Sequence, residues 1–473
     1  MSVSESTWRW CVRCVCTVLI ISAGMANRAT GQALTTGLPE QAIGWLQDYL
    51  RIDTINPPGN EVAGAAFLAG ILEAEGISVV TAESAPGRGN VWARLEGGDE
   101  PALILLHHID VVPADARYWS TDPLSGERRE QYLYGRGALD TKALGIVQLA
   151  AFLELYRSGI ALDRDVIYMA TADEEAGGYM GVGWLVEEYP ELFDGVGYVL
   201  NEGGGGAVAD GEVQVSVEVT QKVPFWIRVT VAGQPGYGSR PQESTAVTRL
   251  VAALERLRLY EFEPRVIPVV DRYFRALASS MPGPWRRRYA DLGAVIREPA
   301  VGQDLLRFNA SHFALTRNTC AITRLFGSDK INVVPTEAFA ELDCRLLPDQ
   351  DAEVFLDELR GVLGEDTGVE TLMRFTPAQS SAETGLFRVI EEVSREHFSG
   401  VTVVPAVLTG FTDSHFLRDL GITAYGYTPF VIPSEDFAGI HGNDERISVE
   451  NVRRGVQVMS DVVARWTQQG EEP

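Results

Sequence analysis

Apolar runs of strand length alternate with segments of helical periodicity along most of the chain. Ala102 to Asp110, Val166 to Glu174, Tyr198 to Glu202 and Ile422 to Tyr427 are continuous apolar runs that predict buried strands. Gln41 to Leu50 and Gly145 to Tyr156 repeat at the helical period. So do Val449, Val452, Val456, Met459, Val463 and Trp466, which form a strict stripe for a core-facing helix. Strands alternating with helices predict an α/β fold whose sheet is mixed and largely parallel.

Near residue 212 the texture changes. Val213 to Val219 and Pro224 to Val231 alternate as solvent-facing strands do, and a helix is predicted from Thr245 to Leu257. After a less regular stretch come a second strand pair, Lys330 to Leu347, and a helix from Ala352 to Leu363. The chain thus leaves its main domain over 32–212, builds an α+β insert over 213–378, and returns over 379–473. Residues 1–31 stand apart. Arg9 and Arg13 precede an apolar run from Cys14 to Ala26, and Ala29-Thr30-Gly31 follows, so cleavage is expected near Gln32. The run is short for a bilayer span. A retained anchor, with Trp8 and Trp10 at the interface, is the other reading. Removal of a signal implies a periplasmic or secreted protein.

At 473 residues the chain has ample capacity for a core, and 45% hydrophobic with 22% charged residues is ordinary globular composition. Asp and Glu number 65 against 40 Lys and Arg, a net charge of -25. That charge argues against nucleic-acid binding, and no stable membrane partner is expected. Only Cys320 and Cys344 remain after the leader is removed. They either pair, as an oxidising compartment allows, or stay buried thiols.

Polar residues able to do chemistry gather at the ends of the main-domain strands. His107-His108-Ile109-Asp110 ends the first, and strand alternation points His108 and Asp110 to one side with His107 opposite. A histidine can bind metal through one nitrogen while a carboxylate orients the other. Gly135-Arg136-Gly137-Ala138-Leu139-Asp140 is a flexible loop delivering one carboxylate just before a helix, where Asp140 could equally serve as the N-cap. Asp173-Glu174-Glu175 crowds like charges at a strand end, Asn201-Glu202-Gly203 follows another strand, and Ile440-His441-Gly442 lies in a late loop. Each alone reads as a solvated loop residue. Together, two histidines, one central carboxylate and two flanking carboxylates are the donors needed for two divalent cations sharing a bridge.

The motifs HHIDVVP, GRGALDTK, DEEAGG, NEGG and HGNDERIS, in this order, resemble the zinc aminoacylase, glutamate carboxypeptidase and succinyl-diaminopimelate desuccinylase family of metallopeptidases. The resemblance covers essentially the whole mature chain, insert included. It implies that Asp140 bridges two Zn2+ (or Co2+ or Mn2+), with His108 and Glu202 on one and Glu175 and His441 on the other. It makes Asp110 the orienter of His108 and Glu174 the general base in hydrolysis of small peptides or N-acyl amino acids. The insert resembles the family's lid, which also carries dimer contacts, and Asn332 and Arg345 match positions that grip a substrate carboxylate. Thr412-Asp413-Ser414 matches a loop that shapes the pocket. His312, His397 and His415 are read as structural. One departure matters: in Gly233 to Pro241, Tyr237 stands where the family presents a histidine to the oxyanion, and a phenol brings no positive charge. Tyr237 substitutes, another donor such as Arg240 takes over, or turnover is weak. In the last case the chain is a metal-loaded binding protein.

Overall fold

The computed structural model describes residues 37–209 and 211–468, so the expected leader lies outside them. Two compact units are present. One comprises the chain up to Ala172 together with Ser434 onward; the other is Asp173 to Pro433.

In the first unit the apolar strand Glu100–His108 pairs in parallel with Arg164–Thr171, placing His108 beside Thr171. Gly89–Leu95 and Val79–Glu83 continue this sheet by antiparallel pairing. Helix Val449–Trp466 buries the stripe read from the sequence and packs on helices Leu38–Leu50 and Lys142–Ser158. Its N-cap, Ser448, accepts a hydrogen bond from the Asn451 amide at 3.1 Å. At its far end the buried Arg164 lays its guanidinium 4.0 Å over the Trp466 ring and donates to the Trp466 carbonyl. The return of the chain to this unit is therefore held by both apolar burial and a satisfied internal cation.

The second unit contains two larger sheets. In one, Val196–Asn201 pairs in parallel with Thr423–Gly426, and Glu212–Gln221 in parallel with Thr402–Leu408. The fold is mixed α/β with a largely parallel central sheet, as the sequence predicts. The other sheet is wholly antiparallel, ordered Thr319–Phe326, Glu337–Leu346, Val223–Ala232, Gly368–Arg374. Alternate residues of Val223–Ala232 (Phe225, Ile227, Val229, Val231) enter a core with Leu250, Leu254, Phe355 and Leu359 of helices Ala246–Leu259 and Ala352–Leu363.

Three local readings change. The strand expected to reach Glu174 stops at Thr171, because Asp173 takes left-handed backbone (φ 73°) and turns the chain into one 3-10 turn, Glu174–Ala176. The irregular stretch contains an edge strand, Thr319–Phe326, and five short helices between Pro268 and Ala314. The expected pair over Lys330 to Leu347 is a two-residue strand, Val333–Val334, followed by Glu337–Leu346; the short strand pairs instead with Gly236–Tyr237. Among the short helices His312 is held by the hydroxyls of Tyr289 (2.6 Å) and Tyr273 (3.4 Å), and burial lowers its pKa to about 4.

Cys320 and Cys344 face each other directly in the register and form a disulfide. The bond closes a loop with a sequence separation of 24 and ties the edge strand to its neighbour. Replacing both cysteines by alanine is expected to lower unfolding free energy by about 3 kcal/mol, mainly by restoring freedom to the unfolded chain. Denaturant titration of both proteins measures this, and an unchanged midpoint would show that the clamp contributes nothing.

Candidate metal centre and substrate groups

His107 and His108 end the same strand but face different surroundings. His107 is fully buried against helix Lys142–Ser158, its Nε2 lies 3.4 Å from the Tyr49 hydroxyl, and burial lowers its pKa to about 3. The helix passes this close because residue 145 is glycine: a Cβ there would sit 2.2 Å from the imidazole. His107 is therefore a neutral packing group, as strand alternation predicts. His108 is oriented through Nδ1, which is 2.9 Å from the Asp110 main-chain oxygen and 3.6 Å from its carboxylate. That carboxylate accepts from Asn56 Nδ2 at 2.8 Å. The main-chain oxygen of Asp110 is thus the nearer orienting atom, and Nε2 is left to face Asp140.

Asp140 lies between two histidines. His108 Nε2 is 3.0 Å from Oδ1, and His441 Nε2 is 3.1 Å from Oδ2. Thr141, not Asp140, is the N-cap residue of the following helix, so the capping alternative falls away. Burial pushes the Asp140 carboxyl up, but hydrogen bonds from both histidines outweigh it and hold the group below the usual carboxylate range.

Two loops far apart in sequence make this possible, and one buried carboxylate joins them. Glu445 accepts from Arg136 Nη1 (2.6 Å) and from the amides of Gly137 (3.1 Å), Leu139 (2.7 Å) and Asp140 (3.1 Å). Arg136 Nη2 also donates to the Gly442 carbonyl at 2.7 Å. Gly137 has φ 89°, and His441 itself has φ 55°. Burial pushes the Glu445 carboxyl up against the pull of Arg136 and the amides. Arg136 and Glu445 were not singled out from the sequence. Both stand inside quoted motifs, but nothing in a motif distinguishes Glu445 from its neighbour Asp444.

In the second unit, Glu174 is buried and Glu175 partly so on the turn after Asp173. The Asp173 main-chain oxygen accepts from Ala176 (3.0 Å) and Gly178 (2.8 Å), and its carboxylate accepts from Met180 N at 3.0 Å. Any side chain at Gly178 would strike Asp413, since a Cβ there lies 2.0 Å from Oδ1. Glu202 follows Asn201, whose Nδ2 donates to Ser414 Oγ at 3.1 Å. The Thr412 to Ser414 loop thus moulds both acidic turns. His415 beside it is buried, stacked 3.6 Å on Phe375, with its pKa lowered to about 3 by burial.

The groups expected to meet substrate are also in this unit. Arg345 donates to Asp343 through Nε (2.7 Å) and Nη2 (3.2 Å) and lies 5.2 Å over Phe411, leaving Nη1 without a hydrogen-bond partner among the described residues. Tyr237 is 64% exposed, with the Arg240 guanidinium 4.8 Å over its ring. The Gly238 amide donates to the Asn332 carbonyl at 3.0 Å, so Tyr237, Arg240 and Asn332 share one small ribbon.

The profile of Peptidase family M20/M25/M40 matches residues 104–465. The chain belongs to this family. It is 32% identical over 380 residues to the N-fatty-acyl-amino acid synthase/hydrolase PM20D1 of Xenopus tropicalis, covering 77% of this chain and 72% of that one. It is 27% identical over 443 residues to human aminoacylase-1, covering 90% and 96%. The fold matches that of the Bacillus subtilis YXEP protein, described as a dinuclear metal binding peptidase, with TM-score 0.56, 14% identity and coverage of 91% and 99%. This M20 chain is a metal-dependent amidohydrolase.

The Asp140 cradle fits a cation-bridging role. Two donors bound at 2.0 to 2.1 Å in tetrahedral geometry stand about 3.3 Å apart, and each His–Asp140 separation is within a few tenths of an ångström of that. Glu445→Gln keeps the shape of the support but removes the charge opposite Arg136. It is expected to weaken metal binding about 10- to 100-fold and to lower stability, read by metal titration and thermal melting. Unchanged affinity would show that Asp140 holds its place without Glu445.

Proposed function

We propose that the chain is an exported di-zinc hydrolase of small peptides or N-acyl amino acids. His108, Asp140 and His441, with Glu175 and Glu202, would hold the two ions, with Asp140 shared between them. The observation that carries this is Asp140 presenting one oxygen to each histidine at 3.0 and 3.1 Å. Mixed imidazole and carboxylate donors suit zinc, with cobalt and manganese as alternatives for metal analysis to decide. When bound, the ions polarise an amide carbonyl and acidify water. Glu174 is the general base: it takes the proton of the attacking water and returns it to the leaving nitrogen. Asp110 orients His108. Arg345, whose Nη1 is unengaged, and Asn332 receive the substrate carboxylate.

Residues 213–378 act as the lid. Its edge strand leaves Ile322 and Leu325 exposed, an apolar edge suited to pairing with a second copy in a homodimer. The Cys320–Cys344 disulfide supports export, since such bonds persist in oxidising compartments. A second reading, a metal-loaded protein that binds the same molecules with weak turnover, rests on Tyr237 in place of the family histidine.

Glu174→Gln should retain two metal ions per chain and lose about a hundredfold or more in kcat on acyl amino acids or dipeptides. If wild type and variant bind metal and are equally inert, the binding reading replaces the hydrolase. Arg345→Ala should raise KM far more for substrates with a free carboxylate than for their amides. Equal effects on both would remove Arg345 from that role.

A further inference from the structure

The chain's net charge is -25, yet residues 265–317 run the other way, with nine arginines, no lysine and four carboxylates. This is the stretch of five short helices within the second unit. The helices join into one surface. Arg275 of helix Pro268–Leu277 donates to the carbonyl of Ala290, at the end of helix Trp285–Ala290, at 2.7 Å. Arg288 donates to Asp304 of helix Pro299–Phe308 at 3.1 Å, and the Trp285 and Phe308 rings stack at 4.7 Å. Trp285 and Tyr289 point inward, so Arg286 and Arg287 point out, and Arg272 is exposed one turn before Arg275. Arg275, Arg288, Arg297 and Arg307 are matched by carboxylates. Arg272, Arg286 and Arg287 have no ion-pair partner among the described residues. Phe308, whose ring stacks on Trp285 next to Arg286, is 40% exposed.

We propose that this face is a docking surface for an anionic phospholipid bilayer. Guanidinium groups pair bidentately with phosphodiester oxygens, and half-exposed Phe308 supplies the apolar contact that an interfacial surface inserts below the headgroups. The acid excess elsewhere opposes this only weakly. At physiological ionic strength charges more than about 8 Å from the membrane are screened, so the local sign decides. The expectation of no stable membrane partner, drawn from net charge, is compatible with reversible peripheral contact. The proposal does not depend on the metal centre, so its failure would leave the hydrolase reading untouched.

The test is co-sedimentation of the mature protein with phosphatidylcholine vesicles, with and without about a third phosphatidylglycerol. Wild type should partition onto the anionic vesicles only and be released by high salt. The triple variant Arg272→Gln, Arg286→Gln, Arg287→Gln should lose about a hundredfold in partitioning while keeping its melting temperature and its hydrolysis of a soluble substrate. Phe308→Ser should weaken binding without abolishing its dependence on anionic lipid. Equal binding to both vesicle types, or equal binding by wild type and triple variant, overturns the proposal. So does failure of wild type to bind while arginine-dependent self-association appears, which would reassign the face to a second copy of the acidic chain.

Discussion

The placing of Asp140 and His441 in the first unit depends on one buried ion pair, Arg136 with Glu445. A carboxylate removed from water is tolerable only when its lone pairs are filled, and Glu445 fills them with one guanidinium and the amides of Gly137, Leu139 and Asp140. Those amides belong to the loop that presents Asp140, and Arg136 in turn grips the carbonyl of Gly442, next to His441. Asp140 and His441 are thus positioned by a single unit of charge rather than by apolar packing. Glycine hinges make both loops adaptable, and the ion pair removes the slack.

A similar device supports the acidic turns of the second unit. Buried Arg418 donates to Glu218 at 2.8 Å and to the Ala424 carbonyl at 2.8 Å, and Glu218 also accepts from the Gly426 amide at 3.1 Å. This ties the short helix Ser414–Asp419 to the strand running beside Asn201. A side chain at residue 426 would strike the Glu202 carbonyl, 2.4 Å from an added Cβ. Glu202 is therefore fixed by close backbone approach on one side and by Asn201 to Ser414 on the other. A side chain so held would lose little freedom on binding a cation, which is how a rigid support raises affinity.

The sequence made legible what is local and periodic. His107 and His108 were separable because a strand alternates, and the stripe from Val449 to Trp466 was readable because a helix repeats. Asp140 and His441 stood out as motif members. Glu445 did not, because Asp444 and Glu445 look alike in sequence and only burial divides them: Asp444 is half-buried and accepts from the Ser120 amide, while Glu445 is sealed inside. The Cys320–Cys344 bond was undecidable because the strand Thr319–Phe326 that sets its register carries no clean alternation. Its outer six residues are all exposed. The five helices between Pro268 and Ala314 were hidden because prolines at 268, 282, 284 and 299 keep each too short for a periodic signal.

Tyr237 can be weighed on the charge its ribbon carries. A lid histidine would bring positive charge only when protonated, and so only below its pKa. Here the phenol is stacked under the Arg240 guanidinium, and the pair projects from an exposed ribbon. A hydrogen-bond donor and a guanidinium are thus present together, divided between two side chains instead of combined in one imidazole. The substitution of tyrosine for histidine therefore leaves the ribbon with positive charge, and it is Arg240 beside the phenol, rather than the phenol itself, that supplies it.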